Sequence, residues 1–365
     1  MTAIWIFFSL LGTPSLDRIP KIQTEPIPSY NRLFMQDHGW TGGDGAYTVP
    51  LGSDTTLWLF SDTWIGDIRD GRHVQSTMVN NSVALQVGKN PATARVDFFW
   101  GRDRNGEPDA LIQPQEGERG WFWLFDGLLT THGLFVFLMQ IVPHDKAFDH
   151  IGAWLGKVAN PRDPPDRWRI EQRKIPWGRL DGPAKILFGS ALCQVGRFVY
   201  VYGTDEDITH GGIHKKYMIA ARVAADSLDD FTRWRFFDGT RWQPDWTKAA
   251  RLSPDMANEY SVSFQSTLNS YVVVYTEGGL SEYIAIRTAP SPEGPWSKPI
   301  RVFRCSESRW KRGVICYAAK AHPSLSDDPD ELIVTYVAGS FSIWILATDA
   351  QLYWPRFLRL RFEKR

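Results

Sequence analysis

The sequence predicts an all-β protein, a five-bladed β-propeller with four-stranded antiparallel blades. Three observations predict it: a hairpin-like segment recurs five times, helical periodicity is scarce, and the copies are spaced widely enough for a second pair of strands in each. The copies are DGAYTVPLGSDTTLWLFSD from Asp44, DGLLTTHGLFVFLMQ from Asp126, FGSALCQVGRFVYVYGT from Phe188, EYSVSFQSTLNSYVVVYTE from Glu259 and KAHPSLSDDPDELIVTYVA from Lys320. Each joins two β-rich stretches by a short turn, and their starts lie roughly 60 to 80 residues apart, enough for a four-stranded blade with loops. A β-sandwich is the second architecture the strands allow, but it does not call for five copies of one hairpin.

The second pair of strands is visible after Leu280, in SEYIAIRTAPSPEGPWSKPIRVF, where Ser291, Pro292, Gly294 and Pro295 mark a turn. At the N-terminus, Ala3 to Leu11 (AIWIFFSLL) is the longest apolar run and is too short to span a bilayer. Residues 1–20 therefore read as a signal peptide or as an N-terminal strand docking on the fold, and residues 21–365 as a single catalytic propeller domain. The first reading makes the protein secreted or periplasmic, although no Lys or Arg precedes the run.

Lys and Arg together number 41, as do Asp and Glu, and this balance gives no electrostatic case for nucleic acid or an anionic membrane. The chain is 14% aromatic, with 17 Trp, 21 Phe and 12 Tyr. Such rings fill the space between sheets and, when exposed, suit flat ligands such as sugars. Three cysteines exclude a disulfide scaffold; Cys193 reads as core, whereas Cys305 and Cys316 flank a charged loop and are close enough in sequence to pair. No zinc spacing, serine-hydrolase elbow, phosphate loop or dinucleotide fingerprint occurs, so no cofactor is expected. A calcium or sodium ion on the propeller axis is compatible with the fold but has no ligand spacing behind it.

In the first copy the turn falls near Gly52, Ser53 and Asp54, so residues whose numbers sum to about 106 face each other. Asp44 and Asp62 meet that condition. Opposed residues have Cβ atoms roughly 4.5 to 5.5 Å apart, so two carboxylates stand together at one end of the blade. If buried, their repulsion raises one pKa and separates an acid from a base or nucleophile. Asp126 repeats the Asp-Gly start in the second copy, Glu259 and Glu277 repeat the 18-residue separation in the fourth, and Lys320 and His322 stand at the corresponding place in the fifth. Each acid has a plainer reading, because Asp before Gly is a common turn pair.

Cleavage of a glycosidic bond needs a proton donor and a carboxylate that attacks the anomeric carbon or activates water. Asp44 is assigned as base or nucleophile and Asp62 as acid, with Asp126 tuning both. A directly opposed pair suits retaining enzymes, and acids on separate blades suit inverting ones. Trp40, Tyr47, Trp64 and Trp121 neighbour the acids in sequence and are the candidate sugar-stacking rings. Asn81, Glu259, Glu277 and His322 complete the candidate substrate-binding set, with His322 also readable as an axial-ion ligand or a core histidine.

WTGGDGAYTVPL, LWLFSDTWIG and MVNNSVAL, with FDGLLTTHGLFVFL, MIAARVAADSLDDFTRWRFFDG, NEYSVSFQS, GPWSKP and YAAKAHPSLS, resemble a group of five-bladed propellers first catalogued as a domain of unknown function. That group includes bacterial endo-D-arabinanases; the arabinanase and fructosidase propellers are more loosely similar. The resemblance covers most of the chain after about residue 30 and implies an aspartate pair in the first blade, carried here onto Asp44 and Asp62, with a D-arabinan-like polysaccharide as substrate. Two departures stand out: Phe188 occupies the blade-three position where an acid is absent, and Arg102 to Gly120 has no counterpart. A non-catalytic carbohydrate-binding propeller and a scaffold for protein partners are the alternatives that the fold also serves.

Overall fold

The computed structural model describes residues 21–144, 147–180, 184–210 and 213–363, and the apolar run Ala3–Leu11 lies outside them. The described chain is all-β, with short helices at Pro28–Phe34 and Ile343–Ala347 and several single 3-10 turns. Five antiparallel sheets of four or five strands succeed one another along the sequence, and their first strands are Tyr47–Pro50, Trp121–Thr130, Ala184–Val195, Tyr260–Gln265 and Ile315–Ala321. The first and fourth of these strands begin within a few residues after the starts of their repeated segments, whereas the second, third and fifth begin four or five residues before theirs.

The fifth sheet joins the two ends of the described chain. Its last C-terminal strand, Pro355–Phe362, pairs with the N-terminal strand Ile22–Pro26 from Ile22↔Phe362 to Pro26↔Leu358. The first strands of consecutive sheets contact one another, and those of the fifth and first meet through Tyr317 on Asp44 and His322 on Thr48. A smaller sheet of His38–Gly43, Thr63–Arg69 and Arg72–Val79 extends the first hairpin past Asp44 and Asp62.

Most central strands are apolar on both faces, because each sheet is covered on both sides. In Ser270–Thr276, Val273 and Tyr275 pack with Tyr200 and Tyr202 of the third sheet, while Val272 and Val274 pack with Val334 and Tyr336 of the fifth. In Thr55–Phe60, Leu57 and Leu59 face Val136 of the second sheet, and Trp58 and Phe60 face Ile333 and Phe357 of the fifth. The two-residue side-chain period thus sends alternate residues into two different cores. This explains why LWLF and YVVVYT read as continuous apolar runs rather than as alternation.

Trp40 and His322 belong to this packing. Trp40 is buried, stacked 4.5 Å from Phe98 with its indole N–H donated to Ser82, so it is a core ring and not a sugar platform. His322 is fully buried between Thr48 Oγ1 at 2.8 Å and Thr335 Oγ1 at 2.7 Å, 5.0 Å from the Trp58 ring. Burial first, then Lys320, holds its pKa well below the ordinary histidine value, so it is a neutral core imidazole. Cys193, Cys305 and Cys316 are buried free thiols.

Candidate active site

The first hairpin follows the register expected from its turn. Tyr47↔Leu59, Thr48↔Trp58 and Val49↔Leu57 all keep the sum of 106, and so do Gly43↔Thr63 and Gly42↔Trp64 beyond the acids. At the acids themselves the Asp44 N–H donates to the Asp62 carbonyl at 3.1 Å. The strand kinks there, with Gly45 at φ 81° and Ala46 at φ 58°. The left-handed step is what Asp-Gly provides, and it lets the Asp44 carbonyl accept from both Ala46 and Ser61. Asp44 and Asp62 thereby line one cavity of about 600 Å³.

Asp44 Oδ2 accepts the hydroxyls of Tyr317 at 2.7 Å and Tyr353 at 3.1 Å, while its buried Oδ1 has no protein partner. Both tyrosines come from the fifth sheet and the loop within it. Tyr353 sits at φ 73°, and its carbonyl lies where a Cβ on Gly42 would be 2.6 Å away. Only a glycine at 42 allows that approach, so the strained loop is held against the first sheet with its hydroxyl on Asp44. Burial, then Asp62, then Glu259, raises Asp44 well above the usual carboxylate range against the two hydroxyl donors.

Asp62 Oδ1 accepts the indole N–H of Trp123 at 2.8 Å and the Asn80 amide at 3.2 Å. Burial pushes Asp62 up to about 6, and these two donors hold it down from going further. Indole N–H and amide NH₂ groups can only donate, so they favour the ionised carboxylate. A tyrosine hydroxyl can donate or accept and so tolerates a protonated Asp44. The two acids are therefore held in different environments, with Asp44 the readier to carry the proton.

Asp126 lies at a bulge in the second sheet, where pairing slips between Leu124 and Gly127. It does not line the cavity. Its oxygens accept the backbone N–H groups of Gly127 and Leu192, each within 2.8 Å, and burial nevertheless raises it to about 7. Lys320 follows a matching slip in the fifth sheet, with Ala318 at φ 58° inside it. Bulges re-aim side chains in this way. Buried Lys320 donates to the carbonyls of Gly45 and Ala318 and reaches Glu259 Oε1 at 3.2 Å, with its ammonium 4.3 Å from the Tyr47 ring centre.

Glu259 lines the cavity with Asp44 and Asp62. Glu277 does not pair with it: Tyr260 faces Tyr275, which leaves Glu277 one step out of register, and it turns outward to Arg301 at 2.7 Å. Tyr47 is buried with its hydroxyl on the Ser190 carbonyl. Trp64 lines no part of the cavity and stacks on His73 at 4.7 Å. Trp121 packs against the first core instead of reaching the acids. Asn81 is buried and ties Ile112 and Phe122 to the first sheet, which anchors part of the 102–120 segment. Burial takes Tyr47, Trp64 and Asn81 away from the cavity, and an ion pair takes Glu277.

Sequence reasoning missed Trp123, Tyr317 and Tyr353, and it weighed Asn80 with Asn81 as a ligand contact or a turn former without linking it to Asp62. Trp123 stands two residues from Trp121, so the segment is legible but the position is not. Tyr317 precedes Lys320 across a bulge that strand alternation does not foresee. Tyr353 carries no sequence signal at all. The far wall comes from long strands of the second and third sheets, with Phe148 edge-on to Trp123 at 4.5 Å and His214 2.6 Å from Glu206. Burial lowers His150 of this wall to about 4, leaving it neutral. Among the described residues, no group of three His, Cys, Asp or Glu is arranged to hold a metal ion.

Residues 28–362 match the family model described as a domain of unknown function, DUF5005. The chain belongs to that family. No curated protein matches its sequence. Among solved structures, a Bacteroides ovatus protein carrying a provisional hydrolase name is similar at TM-score 0.73 and 18% identity, over 93% of this chain and 90% of that one. A Cellvibrio cellulosa alpha-L-arabinanase mutant is similar at TM-score 0.44 and 11% identity, over 87% and 91%. A Phanerochaete chrysosporium exo-beta-1,3-galactanase is similar at 0.47 and 10%, over 87% and 60%. The first likeness shows a shared fold in this DUF5005 protein, and the other two are too low to add to it.

Proposed function

We propose that this DUF5005 protein is a glycoside hydrolase that cleaves a polysaccharide with Asp44 and Asp62. The observation that carries the reading is two carboxylates opposed across one hairpin, in one cavity, with donors that set their proton affinities apart. Asp44, whose tyrosine partners tolerate the protonated carboxyl, gives its proton to the leaving oxygen. Asp62, ionised against Trp123 and Asn80, attacks the anomeric carbon or takes a proton from water. This reverses the order in which sequence alone ranks the two. The five sheets are the blades of one propeller, with the Ile22–Pro26 and Pro355–Phe362 pairing as its clasp.

The resemblance to endo-D-arabinanases makes a D-arabinan-like polymer the first substrate to try, and the apolar run at Ala3–Leu11 favours an exported enzyme. The test is release of reducing ends from a panel of furanose and pyranose polysaccharides, D-arabinan included, by the wild type, Asp44→Asn and Asp62→Asn. The expected result is cleavage of one polymer by the wild type and loss in both folded variants. A wild type that cuts nothing yet binds a glycan as tightly as the variants do would replace the hydrolase with a carbohydrate-binding propeller.

A further inference from the structure

Large apolar side chains left in water are concentrated at the mouth of the Asp44–Asp62 cavity. Phe341 is 72% exposed, Ile343 55% and Leu280 53%, and all three line it. Trp344, also 72% exposed, adjoins them in the short helix Ile343–Ala347. Phe148 stands on the wall formed by the second and third sheets, packed on Trp123, which reaches Asp62. Phe264 and Trp310, the other large exposed rings, lie away from the cavity. Leaving such groups uncovered beside a polar floor has a cost in water that only an occupant relieves.

We infer that Phe341 and Trp344, with Leu280 and Ile343, form a stacking platform that holds the sugar units next to the scissile bond of a glycan chain. The inference rests on the hydrolase reading, and it names the part of the site that selects a polymer over a single glycoside. The occupant follows from continuity: the apolar rim runs into a floor of carboxylates and N–H donors, and a sugar ring offers an apolar C–H face together with hydroxyls. Phe341 sits on the loop between Glu331–Gly339 and Pro355–Phe362, the same loop that carries Tyr353 onto Asp44. The platform and the acid are thus fixed by one segment. A chain bound there meets Asp44 at one end of its contact surface.

The experiment compares wild type, Phe341→Ala, Trp344→Ala and the double variant, with Phe264→Ala as a distant control. Retardation in native gels containing D-arabinan or plant arabinan reads affinity without turnover, and kinetics on the polymer are compared with those on an aryl glycoside that occupies only the cleavage position. Losing one buried ring face predicts a KM for polymer or a dissociation constant raised about 10- to 100-fold. The expected kcat at saturation changes little, as do the aryl glycoside kinetics and the control. These exposed positions leave folding intact, which equal melting temperatures check. Polymer cleavage with unchanged KM in the double variant overturns the platform and leaves the hydrolase standing. Retardation lost in the double variant while nothing is hydrolysed supports the platform and removes the hydrolase. No retardation with either polymer, or self-association that the double variant abolishes, overturns the platform in favour of a protein contact.

Discussion

Replacing Asp62 by Asn is expected to stabilise the folded protein at neutral pH while abolishing its activity. Below pH 4 both folded and unfolded chains carry the proton on Asp62, and its burial then costs little. Between about pH 4 and 6 the folded state still binds that proton and the unfolded state has lost it, so stability falls as pH rises. Above pH 7 the full penalty is present. A rise from 3.8 to about 6 corresponds to about 3 kcal/mol. Both donors to Asp62 converge on Oδ1, so an amide oxygen keeps both hydrogen bonds and its NH₂ takes the free position. A chain of this length unfolds with an entropy of roughly 0.8 kcal/mol/K, so the gain is about 4 °C in melting temperature. Thermal unfolding of wild type and Asp62→Asn from pH 4 to 8 is the assay. An equal shift at pH 4 and 8, or a loss at pH 8, refutes the reasoning.

Asp126→Asn is expected to gain less than Asp62→Asn despite the higher pKa of the parent acid, because its two N–H donors engage different oxygens and one would then face an NH₂ group; the same unfolding series measures it. Trp123→Phe removes a donor that favours ionised Asp62, so the acidic limb of the pH–rate profile should move upward from about 6. Tyr317→Phe removes a donor to Asp44 and should move the alkaline limb upward by the same logic. Lys320→Met strips Glu259 and two carbonyls of their buried partner and should cost about 3–5 kcal/mol, seen as a fall of roughly 5 °C in melting temperature.

Sequence revealed the repeat, the first hairpin and its register, because the turn at Gly52–Asp54 fixes pairing and the pairing fixes which acids meet. It did not reveal the neighbours of those acids. Trp40, Tyr47 and Trp64 are near Asp44 and Asp62 in number, but the register slips between Trp40 and Gly42 and the backbone kinks at Gly45 and Ala46, so nearness along the strand does not place a ring beside the acids. Trp40 against Phe98 and Trp64 against His73 are that outcome. The partners that matter came from other sheets: Trp123 from the second, Tyr317 and Tyr353 from the fifth. Their distances along the chain from the acids, up to 309 residues for Tyr353, lie beyond any local pattern.

The irregularities explain both what sequence missed and how the buried charges are placed. Asp126, Lys320 and the Asp44–Ala46 kink all sit where the regular ladder slips or the backbone turns left-handed. A regular strand would send each of these groups where its parity dictates, and alternation would predict it. A slip instead changes which face a side chain takes, so Asp126 and Lys320 reach partners outside their own sheets while the apolar residues on either side keep their cores. The sheets can then stay packed on both faces while their inner ends carry charge. The cost is visible in the raised proton affinities of Asp44, Asp62 and Asp126, with burial the first cause in every case. Asp44 and Asp62 are buried in one cavity and accept from tyrosine, indole and amide donors, while the ammonium of Lys320 hydrogen-bonds Glu259 and two carbonyls. Buried acids with raised proton affinities are what the proposed proton transfer calls for.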